Sequence, residues 1–214
     1  MNDRRIVFAI MLASGLLAVK PATGHAQALQ CQGEPVTIVG TSGDDFLVGT
    51  SGRDVIHGLA GDDVIYGLDG DDVICGGDGD DTIYGGDGDD RIRGGLGNDV
   101  IEGNGDDDTL WGGEGFDELR GMNGNDVVFG GEDDDELYGG GGTDELHGGD
   151  GDDTVYGGPG ADELYGGDGD DTLDADDDEH DNVIDGGASS GDSCIIDLFY
   201  ELWTPVGCET IILA

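Results

Sequence analysis

Gly76-Gly77-Asp78-Gly79-Asp80-Asp81-Thr82-Ile83-Tyr84 and Gly148-Gly149-Asp150-Gly151-Asp152-Asp153-Thr154-Val155-Tyr156 are two copies of one nine-residue unit, G-x-x-G-x-D-x-(Ile/Leu/Val)-x. The unit recurs fifteen times from Gly40 to Asp174 without an insertion or deletion. Position 1 is always glycine, position 6 always aspartate and position 8 always aliphatic, while position 4 departs from glycine only at Asp106 and Asp133. A unit this short cannot enclose a core, so its copies must stack on one another, and the fold has to be read from the period.

Each unit divides into a six-residue polar loop and a three-residue strand such as Val64-Ile65-Tyr66 or Thr154-Val155-Tyr156. Side chains alternate along a strand, so position 8 faces inward and positions 7 and 9 face out. Glycines at positions 1 and 4 are expected to supply backbone dihedrals that a Cβ penalises. The aspartates at position 6 are the candidate metal ligands: Asp45, Asp54, Asp63, Asp72, Asp81, Asp90, Asp99, Asp108, Asp117, Asp126, Asp135, Asp144, Asp153, Asp162 and Asp171. With 51 acidic and 7 basic side chains and a net charge of −44, the chain repels itself unless cations intervene. Carboxylate and carbonyl oxygens select a hard divalent cation, and flexible oxygen-rich loops favour calcium over magnesium. Without calcium, disorder is the expected state of such a tract. An EF-hand does not fit, because its loop has twelve residues between helices.

The consensus units resemble the RTX, or haemolysin-type, calcium-binding repeats, and the resemblance spans 135 of 214 residues. It implies an all-β fold: a parallel β-roll, that is, a right-handed β-solenoid with two nonapeptides per coil. Calcium would lie between the loops of units i and i+2. The position-6 aspartates would bridge the ions, helped by loop carbonyls such as those of Gly77, Gly79, Gly86, Gly88, Gly149 and Gly151. Fifteen units leave up to about thirteen such gaps. The loops carrying Asp106, Asp133, Arg53, Phe116, Thr143 and Ala161 depart from the pattern, and Thr41 and Thr50 mark a leading edge.

The ends read differently. Residues 1–28 have the basic start, apolar stretch and Ala26-Gln27-Ala28 cleavage site of a secretory signal peptide, which places the mature chain outside the cell and leaves it no membrane span. Residues 29–39 form an N-terminal lead segment with Thr37-Ile38-Val39 as a degenerate strand, and residues 175–214 form a C-terminal cap over the open coil end. Four cysteines permit three connectivities, and Cys31–Cys75 with Cys194–Cys208 is the expected one.

Little chain remains for catalysis. No nucleophile elbow, zinc helix or phosphate loop appears, and the acidic surface excludes nucleic acid as a partner. Outward aromatics eighteen residues apart, Tyr66 and Tyr84, Tyr138 and Tyr156, Trp111 and Phe129, are expected to be neighbours. The sequence therefore predicts a secreted, non-enzymatic calcium-binding β-roll whose folding is coupled to calcium. The alternative is a cell-surface or matrix module that binds a polysaccharide or protein and uses calcium as scaffold.

Overall fold

The computed structural model describes residues 5–6, 30–175, 183–187, 191–196, 206–208 and 210–213. Among these, all regular structure is strand. Counting the unit that begins at Gly40 as the first, strands of odd-numbered units join one parallel sheet of eleven strands, and those of even-numbered units join a second of nine. Partners lie eighteen residues apart: Ile65 pairs with Ile83 in the odd sheet, and Ile74 with Ile92 in the even sheet. One coil thus takes up two units, and the coils stack into a parallel β-solenoid of about eight turns.

The core follows from the alternation of side chains. Position-8 residues of both sheets point into one shared interior, and from Leu47 to Leu173 each is at most 1 % exposed in a single continuous cluster. Burying each is worth about 1.5–3 kcal/mol. Position-9 side chains stack on the outer faces as expected, with Tyr66 on Tyr84 and Tyr138 on Tyr156, both at 4.8 Å, and Trp111 on Phe129 at 6.0 Å.

The strands are longer than the sequence suggests. Val64–Asp69, Thr82–Asp87 and Val100–Gly105 each run for six residues, so positions 1–3 of the following unit continue the strand and only positions 4–6 turn. The expected division into three-residue strands and six-residue loops is therefore corrected. Nearly bare backbone at positions 1 and 2 lets the parallel ladder carry on where a periodicity of apolar side chains no longer reports it.

The role of the glycines is corrected too. Positive φ falls at positions 2 and 4, as in Gly77 at +137° and Gly79 at +132°, and at none of the position-1 glycines. Position 1 needs glycine because of crowding: a Cβ on Gly94 would lie 2.1 Å from Asp99 Oδ2. Asp106 and Asp133 keep the left-handed turn at position 4, with φ of 72° and 75°, a region that short polar side chains tolerate.

At the N-terminal side, Ile38–Val39 pairs with Ile56–His57 as the degenerate strand. A hairpin, Gln30–Cys31 against Glu34–Pro35, folds over the outer face of the even sheet. There Cys31 packs with Val55 and Val73 and is bonded to Cys75, and Glu34 pairs with both Arg53 and Arg91. Arg5–Ile6 runs beside Asp45–Phe46; the rest of the expected signal segment lies outside the described residues. Past Asp174 the ladder continues through Val183–Gly187, Ser193–Ile196 and Thr210–Leu213. Cys194 joins Cys208, so both expected disulfides are present. The apolar tail segment 198–203 lies outside the described residues. Among the described residues, no helix is long and apolar enough to cross a membrane.

These contacts separate two glycine classes. Gly94→Ala should destabilise the folded chain by more than about 2 kcal/mol, because the new Cβ strikes a buried carboxylate that backbone bonds hold in place. At Gly105 a Cβ would meet nothing closer than 3.8 Å, so Gly105→Ala should change stability by less than about 0.5 kcal/mol. Denaturant unfolding in calcium buffer measures both.

Candidate metal centre

The turn that follows each six-residue strand delivers the position-6 aspartate to the inside edge of the coil, and successive coils stack these residues in two columns. All fifteen predicted ligand aspartates lie in them, each at most 5 % exposed. The N–H of Asp63 donates to Oδ1 of Asp81, and the N–H of Asp81 donates to Oδ1 of Asp99, both at 2.8 Å. The same bond joins neighbours along the odd column from Asp45 to Asp171 and along the even column from Asp54 to Asp162. Each carboxylate therefore spans two coils.

The other oxygen is the informative one. Oδ2 of Asp63, Asp72, Asp81, Asp90, Asp99, Asp108, Asp117, Asp126, Asp135, Asp144, Asp153 and Asp171 is buried with no hydrogen-bond partner. A buried carboxylate oxygen without a donor is costly, and a column of them adds mutual repulsion. Burial, opposed by the backbone hydrogen bond and reinforced by neighbouring carboxylates, pushes Asp99, Asp108 and Asp135 up to about 8. Asp81, Asp90 and Asp153 rise to about 7 for the same reasons.

The first coil differs. Thr41 N–H donates to Asp45 Oδ2, and Thr50 donates to Asp54 Oδ2 from its N–H at 2.7 Å and its hydroxyl at 2.9 Å. There the threonine at position 2 supplies the donors that later carboxylates lack.

The space beside each position-1 glycine is lined by oxygen. A Cβ on Gly76 would lie 2.1 Å from Asp81 Oδ2 and 2.9 Å from the carbonyl oxygen of Gly94 on the next coil. Carbonyls at positions 2 and 4 also face the adjacent coil: those of Gly77, Gly79, Gly149 and Gly151 stand within 2.5 Å of where Cβ atoms on Gly95, Gly97, Gly167 and Gly169 would be. Gly86 is paired with Asn104, and the Gly88 N–H donates to Asp106 Oδ2. Among the described residues, no three His, Cys, Asp or Glu side chains form a group able to hold a metal ion. A metal held here must therefore take backbone carbonyls beside one or two carboxylates. Orphaned buried oxygens, clearances that only glycine leaves and an all-oxygen donor set fit calcium, which would supply the positive charge that the columns lack.

Two features escaped the sequence reading. Position 5, Asp or Asn in most units, builds a second ladder that runs the opposite way: the N–H of Asp80 donates to Oδ1 of Asp62, and that of Asn98 to Oδ1 of Asp80. The Phe116 N–H donates to Asn98 Oδ1, but the Phe116 side chain offers no acceptor for the next rung. Asp192, fully buried, accepts from the Asp171 N–H and extends the odd column by one place. The position-5 pattern was legible; Asp192 was not, because its spacing of 21 residues breaks the period.

A family model described as the RTX calcium-binding nonapeptide repeat, in sets of four copies, matches in seven placements that together run from residue 39 to residue 179. No curated protein matches the chain.

The raised carboxyl groups set the sign of a pH effect. Folded values of about 6 to 8 exceed the ordinary carboxyl value of 3.8, so the folded chain holds more protons than the unfolded one between those limits. Stability contributed by the protons is complete below the unfolded value and is lost as pH rises through the folded ones. In calcium-depleted buffer, far-ultraviolet circular dichroism should show β-structure growing as pH falls from about 8 to about 5. A signal that is flat or weakens on acidification would contradict this.

Proposed function

Because the chain belongs to the RTX calcium-binding nonapeptide-repeat family, we propose that it is an exported calcium-binding β-roll without catalytic activity, whose folding is completed by the ions it holds. The observation that carries this reading is the row of buried, donorless Oδ2 atoms, most of which share the clearance at a position-1 glycine with a carbonyl oxygen of the next coil. At neutral pH such a row needs positive charge. Calcium ions are the partners that the repeats imply.

The position-6 aspartates with the carbonyls of positions 1, 2 and 4 are the proposed ligands, and the thirteen gaps between alternate units bound the number of ions. Ion binding to the folded state alone stabilises it by mass action, and the long glycine-rich coil leaves folding dependent on that gain. Export is supported by the leader-like residues 1–28 and by the two disulfides, which belong to an oxidising compartment; proteins with these repeats are usually secreted. Family members are typically structural and calcium-binding. The carboxylates here already accept backbone N–H bonds within a buried column, an arrangement suited to ion binding rather than to acid–base exchange with a substrate.

Circular dichroism of the mature chain should show little β-structure in chelator and a cooperative gain on adding calcium, with magnesium a poor substitute because it demands a tighter, less easily dehydrated octahedron. Equal β-content in chelator and calcium at neutral pH would overturn the reading. Asp99→Ala should raise the calcium midpoint clearly more than Asp45→Ala, since Thr41 already serves the Asp45 carboxylate.

A further inference from the structure

The two outer faces of the roll differ in a way that the solenoid itself does not require. In the even sheet, the fifth residue of every strand from Val73–Asp78 to Glu163–Asp168 is glycine: Gly77, Gly95, Gly113, Gly131, Gly149 and Gly167. The same place in the odd sheet accepts Leu68, Asn104 and Met122, all at positive φ between 85° and 89°. At the six even-sheet glycines a Cβ would lie within 2.2 Å of the preceding coil's carbonyl oxygen, so that stretch of the even face is held as a bare floor.

Two walls flank that floor. On one side stand Trp111, Phe129, His147 and Tyr165, stacked face to face with centroids 6.0, 4.8 and 4.6 Å apart. Their faces are spent on one another, so the row presents edges to the floor. On the other side the strands end in Glu114, Glu132, Asp150 and Asp168, all exposed and none in an ion pair among the described residues. The corresponding odd strand ends lose their charge after Asp69 and Asp87, becoming Gly105, Asn123 and Gly141. Trp111, Phe129, Glu114 and Glu132 line one groove of about 560 Å³, with Gln32 of the N-terminal hairpin and Arg93 also in its lining.

We propose that this groove on the even face binds a linear amino-sugar polymer, laid along the solenoid axis with one sugar per coil. Every second ammonium group would meet the carboxylate wall, and apolar ring edges of the sugars would lie against the aromatic wall. Charge complementarity selects a cation, and spacing selects the polymer. Neighbouring strands lie about 4.8 Å apart, so two coils span about 9.6 Å, close to the two-sugar repeat of a β1,4-linked chain, in which successive sugars are turned over. An extended basic peptide places same-side residues about 6.8 Å apart and falls out of step within two coils. The proposal rests on the calcium-folded roll and gives the expected surface-interaction role a specific site.

The test uses the mature, disulfide-bonded chain in saturating calcium, at about pH 6.5 where sugar amines are protonated, with circular dichroism verifying the fold of each variant. Short β1,4-linked glucosamine oligomers should bind saturably in calorimetry. The isosteric pair Glu114→Gln with Glu132→Gln should weaken binding by about tenfold or more, whereas Asp69→Asn with Asp87→Asn, the same loss of charge on the odd face, should change it by less than about twofold. Equal weakening by both pairs would mean diffuse attraction to an acidic protein and overturn the site. So would oligolysine binding as tightly as the sugar, or neutral β1,4-linked glucose oligomers binding equally well. Loss of the calcium-induced fold in the unmutated chain would instead strike at the calcium reading, which keeps the two failures distinct.

Discussion

The bond from each position-6 backbone N–H to the carboxylate of the next coil is the constraint on which the rest of the roll depends. It fixes Oδ1, buries the side chain and leaves Oδ2 turned toward a space that only glycine keeps clear. The aliphatic core cannot move independently of it, because position 8 follows the turn residue at position 6 by only two residues. Hydrophobic packing and the carboxylate columns are therefore set by one register.

That coupling explains how so acidic a chain can have a compact form. Along each column the stacked Oδ2 atoms make the folded state the place where repulsion is worst, and also the place where one cation or proton gains most. The first coil relieves the problem locally with Thr41 and Thr50. Later carboxylates such as those of Asp81 and Asp99 have no such donor within the described residues.

Much of this was legible before any coordinates. The invariance of position 8 predicts its burial, the resemblance to the nonapeptide repeats, with two units per coil, implies pairing such as Ile65 with Ile83, and the places of the cysteines at the two ends favoured both disulfides. What stayed hidden has physical reasons. Strand length was underestimated because glycine and carboxylate residues at positions 1–3 carry no apolar alternation, although their backbone pairs as well as any. The demand for glycine at position 1 is a contact between Gly94 and Asp99 across a turn, and dihedral arguments do not see contacts. The threonine donors and the opposed position-5 ladder depend on side-chain direction, which period alone leaves open.

Two units per coil also govern how such a chain can change length. Losing or gaining one residue inside the array would rotate every later side chain to the wrong surface and sever bonds to residues eighteen places away on both sides. A nine-residue change would restore the interior but exchange the two sheets for every later unit, so a change within the row of Trp111, Phe129, His147 and Tyr165 would break it and carry the later members, with their glycines, to the other face. Only whole coils can be added or deleted without mixing the faces. The array is consequently expected to lengthen or shorten through evolution in steps of eighteen, with irregular spacing confined to its end, where Asp192 stands twenty-one residues from Asp171.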